Sequence, residues 1–225
     1  MKQQPSIPRD VQGAAKSTLV AQQGMSLIMV MLIMVVVAML GISGVQIAMM
    51  AERGARNDRD MQIAFQAAEA ALLDAEFDIT NKNTSTARAT KPFSKANIAT
   101  SFLPDCGSSG DLLGLCKGEE KNIVPSWLIV DFTDKSASAS TVEFGKFTGR
   151  EFPVGTAGIQ PSKKPRYIIE WLKDAVSVTR DAATGKSTEN SSFYFRVTAM
   201  GFGPRPDIQV ILQTVYRYSD PKDLE

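Results

Sequence analysis

Residues 25–51 of the 225-residue chain read MSLIMVMLIMVVVAMLGISGVQIAMMA and carry no charged side chain. An apolar segment of about 20 residues is long enough to cross a bilayer as an α-helix. Gly24 stands immediately before the segment, whereas an ordinary secretory signal has its cleavage site after an apolar region of only about 7–15 residues. A cut after Gly24 would therefore leave the apolar helix on the mature protein and make Met25 its first residue.

The charges that flank this segment predict its orientation in a membrane. The leader, residues 1–24, contains three basic residues and one acid, whereas residues 52–60 contain three of each. Basic residues favour the cytoplasmic side of a membrane. We therefore expect the leader to lie in the cytoplasm and the chain beyond residue 52 to lie outside.

The composition excludes most kinds of catalytic site. The chain has no histidine, so it cannot build a Ser-His-Asp triad, a Cys-His pair or a HExxH zinc site. Its net charge of +1 gives no electrostatic footprint for nucleic acid. We therefore expect a protein that is not an enzyme, holds no metal or cofactor, and does not bind nucleic acid.

A helical period continues beyond the apolar segment. No proline occurs between residues 25 and 80, and apolar residues recur there at steps of three and four, which is the spacing of one helix face. This stripe consists of Met61, Phe65, Ala68 and Leu72, extended by Ala75 and Ile79. The pattern predicts one helix of about 55 residues, with residues 25–51 in the membrane and the amphipathic residues 52–80 packed on a soluble domain.

The acidic residues between the stripe positions are Glu69, Asp74, Glu76 and Asp78. They predict a solvated helix face, because charged residues of an amphipathic helix usually face water. Their spacing does not match a calcium loop, which needs Asp, Asn and Gly closer together. In this interpretation Phe65 is a core residue, whose truncation to alanine would cost about 3–5 kcal/mol.

The second half of the chain has the composition of β-strands. Five segments rich in Val, Ile, Phe, Tyr and Trp are bounded by Gly, Pro, Asp and Ser, as strands usually are. These segments are residues 126–132, 142–147, 166–172, 192–200 and 208–218. Residues 81–121 and 173–191 lack a clear period, so we expect irregular segments there, the first with short helical pieces. This order predicts an α+β domain at residues 81–225, with the long helix packed on an antiparallel sheet.

The chain has two cysteines, Cys106 and Cys116. An oxidising compartment outside the cytoplasm permits a disulfide between them, and closing so short a loop would stabilise the domain by roughly 2–3 kcal/mol. Two thiols without histidine make a poor zinc site, and their spacing is not CxxC. We predict one structural disulfide, with two free thiols as the alternative.

Several segments resemble one family of membrane proteins. Residues 23–25, Gln-Gly-Met before an unbroken apolar helix, resemble the class III signal of type IV prepilins. Residues 52–76 are similar to the PilX minor pilins, most clearly at Asn57, Arg59 and the run AFQAAEAA at 64–71. The segments at 165–170, 194–201 and 213–217 are also similar to that family.

The resemblance implies a type IV pilin-like precursor that crosses the bacterial inner membrane once and has a periplasmic C-terminal domain. A prepilin peptidase would cut after Gly24 and methylate the new N-terminus at Met25. The mature protein would then join other minor pilins, the major pilin and a PilY-type tip adhesin in the pilus. It would initiate fibre assembly at the tip and support adhesion and twitching motility.

The mature N-terminus departs from the pattern of major pilins at two positions. Met25 stands where they have phenylalanine, and Met29 stands at the fifth mature position, where their glutamate is thought to neutralise a neighbouring subunit's N-terminus. An apolar residue there offers no carboxylate to a neighbour, and it does not bury an unpaired acid in lipid. Met29 therefore favours an initiating or tip position. A type II secretion pseudopilin and a membrane-anchored periplasmic binding domain are the alternatives.

Overall fold

The computed structural model describes residues 25–80, 85–89, 91–94, 96–118, 124–155, 159–173, 177–180, 187–190 and 193–218. Residue contacts divide the chain into two units, with the boundary between Glu52 and Arg53. The predicted leader, residues 1–24, lies outside the described residues. The predicted long helix is present as α1 (Met25–Ile79).

The first unit contributes the apolar part of α1. Residues 26–51 all expose their side chains, and these include large apolar residues such as Leu27, Val36 and Met50. Within the described part of the chain, α1 is the one helix long and apolar enough to cross a membrane. Removing so much apolar surface from water is strongly favourable, so this segment requires lipid or other helices around it.

The second unit contains a mixed sheet beside the polar half of α1. Its strands run in the order β1–β3–β6–β7, with the short strand β2 also paired to β3. The sheet strands are β1 (Leu115–Lys117), β2 (Val142–Glu143), β3 (Arg166–Lys173), β6 (Phe193–Phe202) and β7 (Gln209–Tyr218). A separate hairpin pairs β4 (Ser177–Arg180) with β5 (Ser187–Asn190). Two short helices, α2 (Ile98–Ser101) and α3 (Ser126–Ile129), and a 3-10 turn (Gly110–Leu112) complete the described elements.

The two faces of the sheet bury different clusters, because alternate residues of a strand point to opposite faces. One face packs on α1 and holds the larger cluster, including Tyr167 and Ile169 of β3 and Phe195 of β6. The opposite face holds a smaller cluster, in which Ile168 and Met200 pack with residues that precede and follow α3. The domain therefore has three layers, namely helix, sheet and an outer layer that includes α3.

The α+β fold class is confirmed, and three of the predicted strands correspond to β3, β6 and β7. Ser192, at the start of one predicted strand, lies outside the described residues. The prediction of an entirely antiparallel sheet was wrong at one edge, where β1 pairs parallel to β3. That strand has only three residues and lies in a segment without any sequence period, so no pattern indicated it.

Two other strand predictions failed for local reasons. The segment at 126–132 begins with helix α3 instead of a strand, directly after Pro125, whose fixed φ suits the start of a helix. The segment at 142–147 is a strand only at Val142–Glu143, because Gly145 adopts a φ of +84° that a strand cannot contain. Hairpin β4–β5 lies within residues 173–191, for which an irregular connection was expected.

Candidate functional site

The predicted processing site is at the start of α1. Gly24 lies outside the described residues, and Met25 is the first residue of the helix. Met29, at the fifth position from the expected cut, exposes 69% of its surface. The side chain there is an apolar group on a helix surface that no described residue covers, so it is available to lipid or to another subunit.

Alanines form the face of α1 that meets the sheet. Ala64, Ala67, Ala68, Ala71 and Ala75 are all buried. Gly201 of β6 faces them so closely that a Cβ atom built there would lie 2.1 Å from the carbonyl oxygen of Ala64. The same Cβ would lie 2.3 Å from the backbone nitrogen of Ala68. Small residues on both elements therefore allow the helix backbone to contact the strand directly.

The predicted packing stripe was only partly correct. Ala68 is fully buried and Leu72 is half-buried against the main cluster. Met61 and Phe65 are instead 43% and 44% exposed, which corrects the expectation that they face the core. The strand approaches α1 too closely for large side chains, so the buried face is centred on alanines and these two residues lie at its border.

An ion pair buried at the C-terminal end of α1 attaches the following segment to the helix. Arg88 donates from Nε to Asp78 Oδ1 and from Nη2 to Asp78 Oδ2, both at 2.9 Å. The hydroxyl of Tyr167 also donates to Asp78 Oδ2, at 3.0 Å. Both charged side chains are fully buried, and Arg88 further donates to the carbonyl oxygens of Asp111 and Leu113. The pair of Asp78 and Arg88 therefore joins α1 to β3 through the carboxylate and to the segment before β1 through the guanidinium.

A second buried carboxylate, Asp74, lies one turn earlier on α1. It accepts hydrogen bonds from the backbone nitrogen of Gly145 at 2.8 Å and from the Thr148 hydroxyl at 2.6 Å. Arg150 Nη1 lies 3.5 Å from Asp74 Oδ1, and the Arg150 side chain is 36% exposed, although Nη1 itself is buried. Asp74 therefore holds the turn after β2 against the helix, with a counter-ion that still reaches water.

Burial raises the pKa of Asp74 above its ordinary value of 3.8, despite the opposing hydrogen bonds from Gly145 and Thr148 and the charge of Arg150. A carboxyl whose folded-state pKa is raised favours folding most below its unfolded pKa, and this contribution is lost as the pH rises through the folded-state value. Burial, reinforced by the charge of Asp78, also raises the pKa of the Tyr167 phenol well above its usual range. Tyr167 therefore remains a hydrogen-bond donor at neutral pH.

A third buried charge lies on the opposite face of the sheet. Glu170 of β3 accepts from Arg196 of β6 through two hydrogen bonds of 2.8 and 3.1 Å. Its Oε1 atom also accepts from the backbone nitrogen of Ser126 at 3.1 Å, which satisfies the first turn of α3. This carboxylate therefore fixes the outer layer onto the sheet.

The disulfide between Cys106 and Cys116 is present, as predicted. Cys116 belongs to β1, and both cysteines are buried in the outer cluster with Phe132 and Phe202. The bond therefore attaches the loop before the 3-10 turn to the edge of the sheet. Closing a loop of this length should contribute roughly 2–3 kcal/mol.

The buried charges are what the sequence interpretation missed. Asp74 and Asp78 were assigned to a solvated face with Glu69 and Glu76, but of these four only Glu69 is exposed, and Glu76 is half-buried. A signal was available, because Asp74 follows Ala71 by three residues and Asp78 follows Asp74 by four, which continues the alanine face at helical spacing. No group of three or more acidic or cysteine side chains that could hold a metal ion occurs in the part of the chain described.

Two family models match the sequence over both of its units. The model described as PilX N-terminal matches residues 23–73, and the model described as Type IV pilus assembly protein PilX C-term matches residues 80–218. No curated protein and no solved structure matches the chain significantly. The first match covers the apolar helix and the alanine face as far as Ala71, and the second covers the sheet, the disulfide and Arg88.

Proposed function

Because the chain belongs to the PilX family and is a minor pilin of the type IV pilus, we propose that it initiates fibre assembly and remains at the fibre tip. In this role it works in small numbers with other minor pilins, the major pilin and a PilY-type tip adhesin. Adhesion and twitching motility then depend on it indirectly, through the number of fibres that form. The family is a structural component of the pilus and not an enzyme family.

Before assembly, the proposed precursor is held in the inner membrane by residues 25–51, with its domain in the periplasm. The orientation is supported by the basic leader, and the compartment by the disulfide between Cys106 and Cys116. A prepilin peptidase then cuts after Gly24 and methylates Met25. The apolar helix stays on the mature protein, where it can leave lipid for a bundle of similar helices.

Met29 is the observation that carries the initiating role. A charged group within the bilayer is stable only when paired, so a subunit inside the fibre benefits from a carboxylate that pairs with a neighbour's N-terminal ammonium. The fifth mature residue of this chain is apolar and exposed, so it cannot form such a pair. A subunit of this kind suits the first position in a fibre, where it has no preceding neighbour to neutralise.

Gly24→Val should abolish processing of the precursor, because a branched side chain would not fit a peptidase pocket shaped for glycine. We expect all of the variant to keep residues 1–24, whereas the natural chain yields an N-methylated Met25. Mass spectrometry of the N-terminal peptide from isolated membranes measures both species. Gly13→Val, which makes the same change within the leader, should be processed normally. Efficient cleavage of the Gly24 variant would contradict the proposed processing site.

Sheared fibres should contain this chain in far smaller amounts than the major pilin, and quantitative mass spectrometry measures the ratio directly. Deleting the gene should reduce surface fibres, adhesion and twitching while the major pilin accumulates in the inner membrane. When the deleted gene is replaced by the Met29→Glu variant, the number of fibres should be normal or slightly reduced, because the added acid has no assigned partner. Amounts comparable to those of the major pilin would replace the tip role with a bulk structural one.

A further inference from the structure

Two neighbouring cavities form a basic groove on the surface of the domain. Their volumes are about 430 and 330 Å³, and they share the side chains of Lys135, Glu143, Lys164 and Arg166. Lys146 lines the first cavity and Lys163 lines the second. We call these two cavities together the basic groove. Five cations and one carboxylate line it, in a chain whose net charge is only +1.

The single carboxylate in the groove does not neutralise these cations. Glu143 is approached by Lys164 Nζ at 3.5 Å and by Arg166 Nη1 at 3.7 Å, and its side chain is 47% exposed. The other three lysines of the basic groove form no ion pair with any residue that the structure describes. Most of the positive charge is therefore available to an anion.

Two acids in the loop that contributes Lys135 to the groove are engaged within that loop. Asp131 accepts from the backbone nitrogen and hydroxyl of Thr133, and Asp134 accepts from those of Ser136. The bonds from Thr133 lower the pKa of Asp131, and Lys163 adds a smaller Coulombic contribution. Lys163 is therefore partly balanced, but these acids lie outside the lining of both cavities.

Backbone contacts place the second cavity of the basic groove beside Asp60 of α1. The domain begins at Arg53, and the carbonyl oxygen of Asp60 lies 3.0 Å from the position of a Cβ built on Gly203. The carbonyl oxygen of Gly203 accepts from the backbone nitrogen of Ser162 at 2.9 Å. Lys163 and Lys164 follow directly. The second cavity therefore lies near Asp60, whereas the first cavity lies further along α1, where Gly145, the neighbour of Lys146, donates to Asp74.

The lining indicates the chemical class of the ligand. Phe132, Phe144 and Phe202 line the cavities but are buried, so they offer no exposed ring on which a base or a sugar could stack. Lysine and arginine nitrogens bind phosphate oxygens through charge-assisted hydrogen bonds, whereas the hydroxyls of Ser136, Thr141 and Ser162 already bond to Asp134, Arg166 and Gly203. A phosphate group fits this lining better than a nucleobase does.

We propose that the basic groove binds the phosphate headgroups of anionic phospholipids in the membrane that holds α1. Each cation close to an anionic bilayer strengthens binding by about fivefold. Bound headgroups would hold the domain against the bilayer surface until the subunit enters a fibre. The inference rests on the membrane anchoring of the proposed function and not on the tip position, so the two can fail separately.

Hydrogen exchange of the full chain in lipid nanodiscs tests the proposal. Backbone amides at 132–136 and 162–166 should exchange at least about fivefold more slowly in discs with anionic phospholipid than in zwitterionic discs. High salt should reduce the difference, because it screens exposed charges. The double variant Lys163→Gln, Lys164→Gln should lose most of the protection, whereas the matched double variant Lys91→Gln, Arg217→Gln should keep it.

Three results would overturn the lipid assignment. These are equal exchange in both kinds of disc, unchanged protection in the Lys163 and Lys164 variant, and equal protection by soluble glycerol phosphate in zwitterionic discs. The last result would assign the groove to a free phosphate. Tryptophan fluorescence from Trp127 and Trp171 checks that each variant is folded, and Lys135→Gln replaces the double variant if it is not. None of these results alters processing at Gly24 or the amount of the chain in fibres.

Discussion

Gly201→Ala is expected to lower the free energy of unfolding of the domain by about 3 kcal/mol or more. The new Cβ would lie 2.1 Å from the carbonyl oxygen of Ala64 and 2.3 Å from the nitrogen of Ala68. Both atoms belong to the backbone of α1, so no side chain can rotate away to relieve the contact. The helix must move off the sheet, and this movement loosens the alanine face along its length.

Thermal unfolding of the full chain in detergent micelles, followed by tryptophan fluorescence, measures the effect. Both tryptophans of the chain, Trp127 and Trp171, lie in the domain, so the signal does not come from the apolar segment. A loss of about 3 kcal/mol should lower the midpoint by roughly 6–12 °C. Gly54→Ala is the matched control, because its Cβ would meet nothing within 4 Å, and it should be neutral or slightly stabilising. A Gly201 variant as stable as this control would refute the close contact.

The elements that the sequence predicted correctly are those with a long and unambiguous period. The apolar segment and the stripe beyond it predicted α1 within a residue or two of its observed ends, because a proline-free helical pattern of this length has no competing interpretation. Strand β6 alternates apolar and polar residues, and β7, rich in β-branched and aromatic residues, follows it after a Gly- and Pro-rich turn, which is the usual signal of a hairpin. Such local patterns do not depend on what packs against them.

The face that α1 buries could not be predicted from apolar periodicity alone. A stripe that contains Phe65 predicts that the largest residues lie at the centre of the buried face. The distance between the helix and the strand, however, decides which side chains fit between them. That distance depends on Gly201, which is far away in sequence and contacts the helix only in the folded domain. Phe65 is therefore half-exposed at the border of the face, and its truncation should cost less than the 3–5 kcal/mol typical of a core phenylalanine.

The proposed functional residues also fall into two groups, those that local sequence predicts and those that only the folded domain brings together. The proposed roles of Gly24, Met25 and Met29 depend on adjacent sequence at the N-terminus, so a motif is enough to predict them. The basic groove is formed by three separate segments, around residues 135, 143 and 164, that the sheet brings together. No spacing along the chain indicates such a groove, because it depends on the tertiary arrangement of short loops.

Asp78→Asn is expected to destabilise the domain by about 3–5 kcal/mol, since it leaves the guanidinium of Arg88 buried without a counter-ion. Both side chains are fully inaccessible, so water cannot replace the lost carboxylate. An asparagine has nearly the same shape and keeps one acceptor for the Tyr167 hydroxyl, so the loss reports the missing charge and not a cavity. The segment around Arg88 should detach from α1, because its main polar attachment is lost.

Asp74→Asn provides the matched control, one turn earlier on the same helix. The side chain of its counter-ion, Arg150, is 36% exposed, whereas that of Arg88 is not exposed at all, so the Arg150 guanidinium can turn toward water once the carboxylate is gone. The raised pKa of Asp74 also shows that burial disfavours its ionised form, and asparagine removes that charge. In the same unfolding assay at pH 7, the Asp78 variant should therefore lose several times more stability than the Asp74 variant. Equal losses would mean that burial of the guanidinium does not determine the loss of stability. The hydrogen bonds that both carboxylates accept would then determine it.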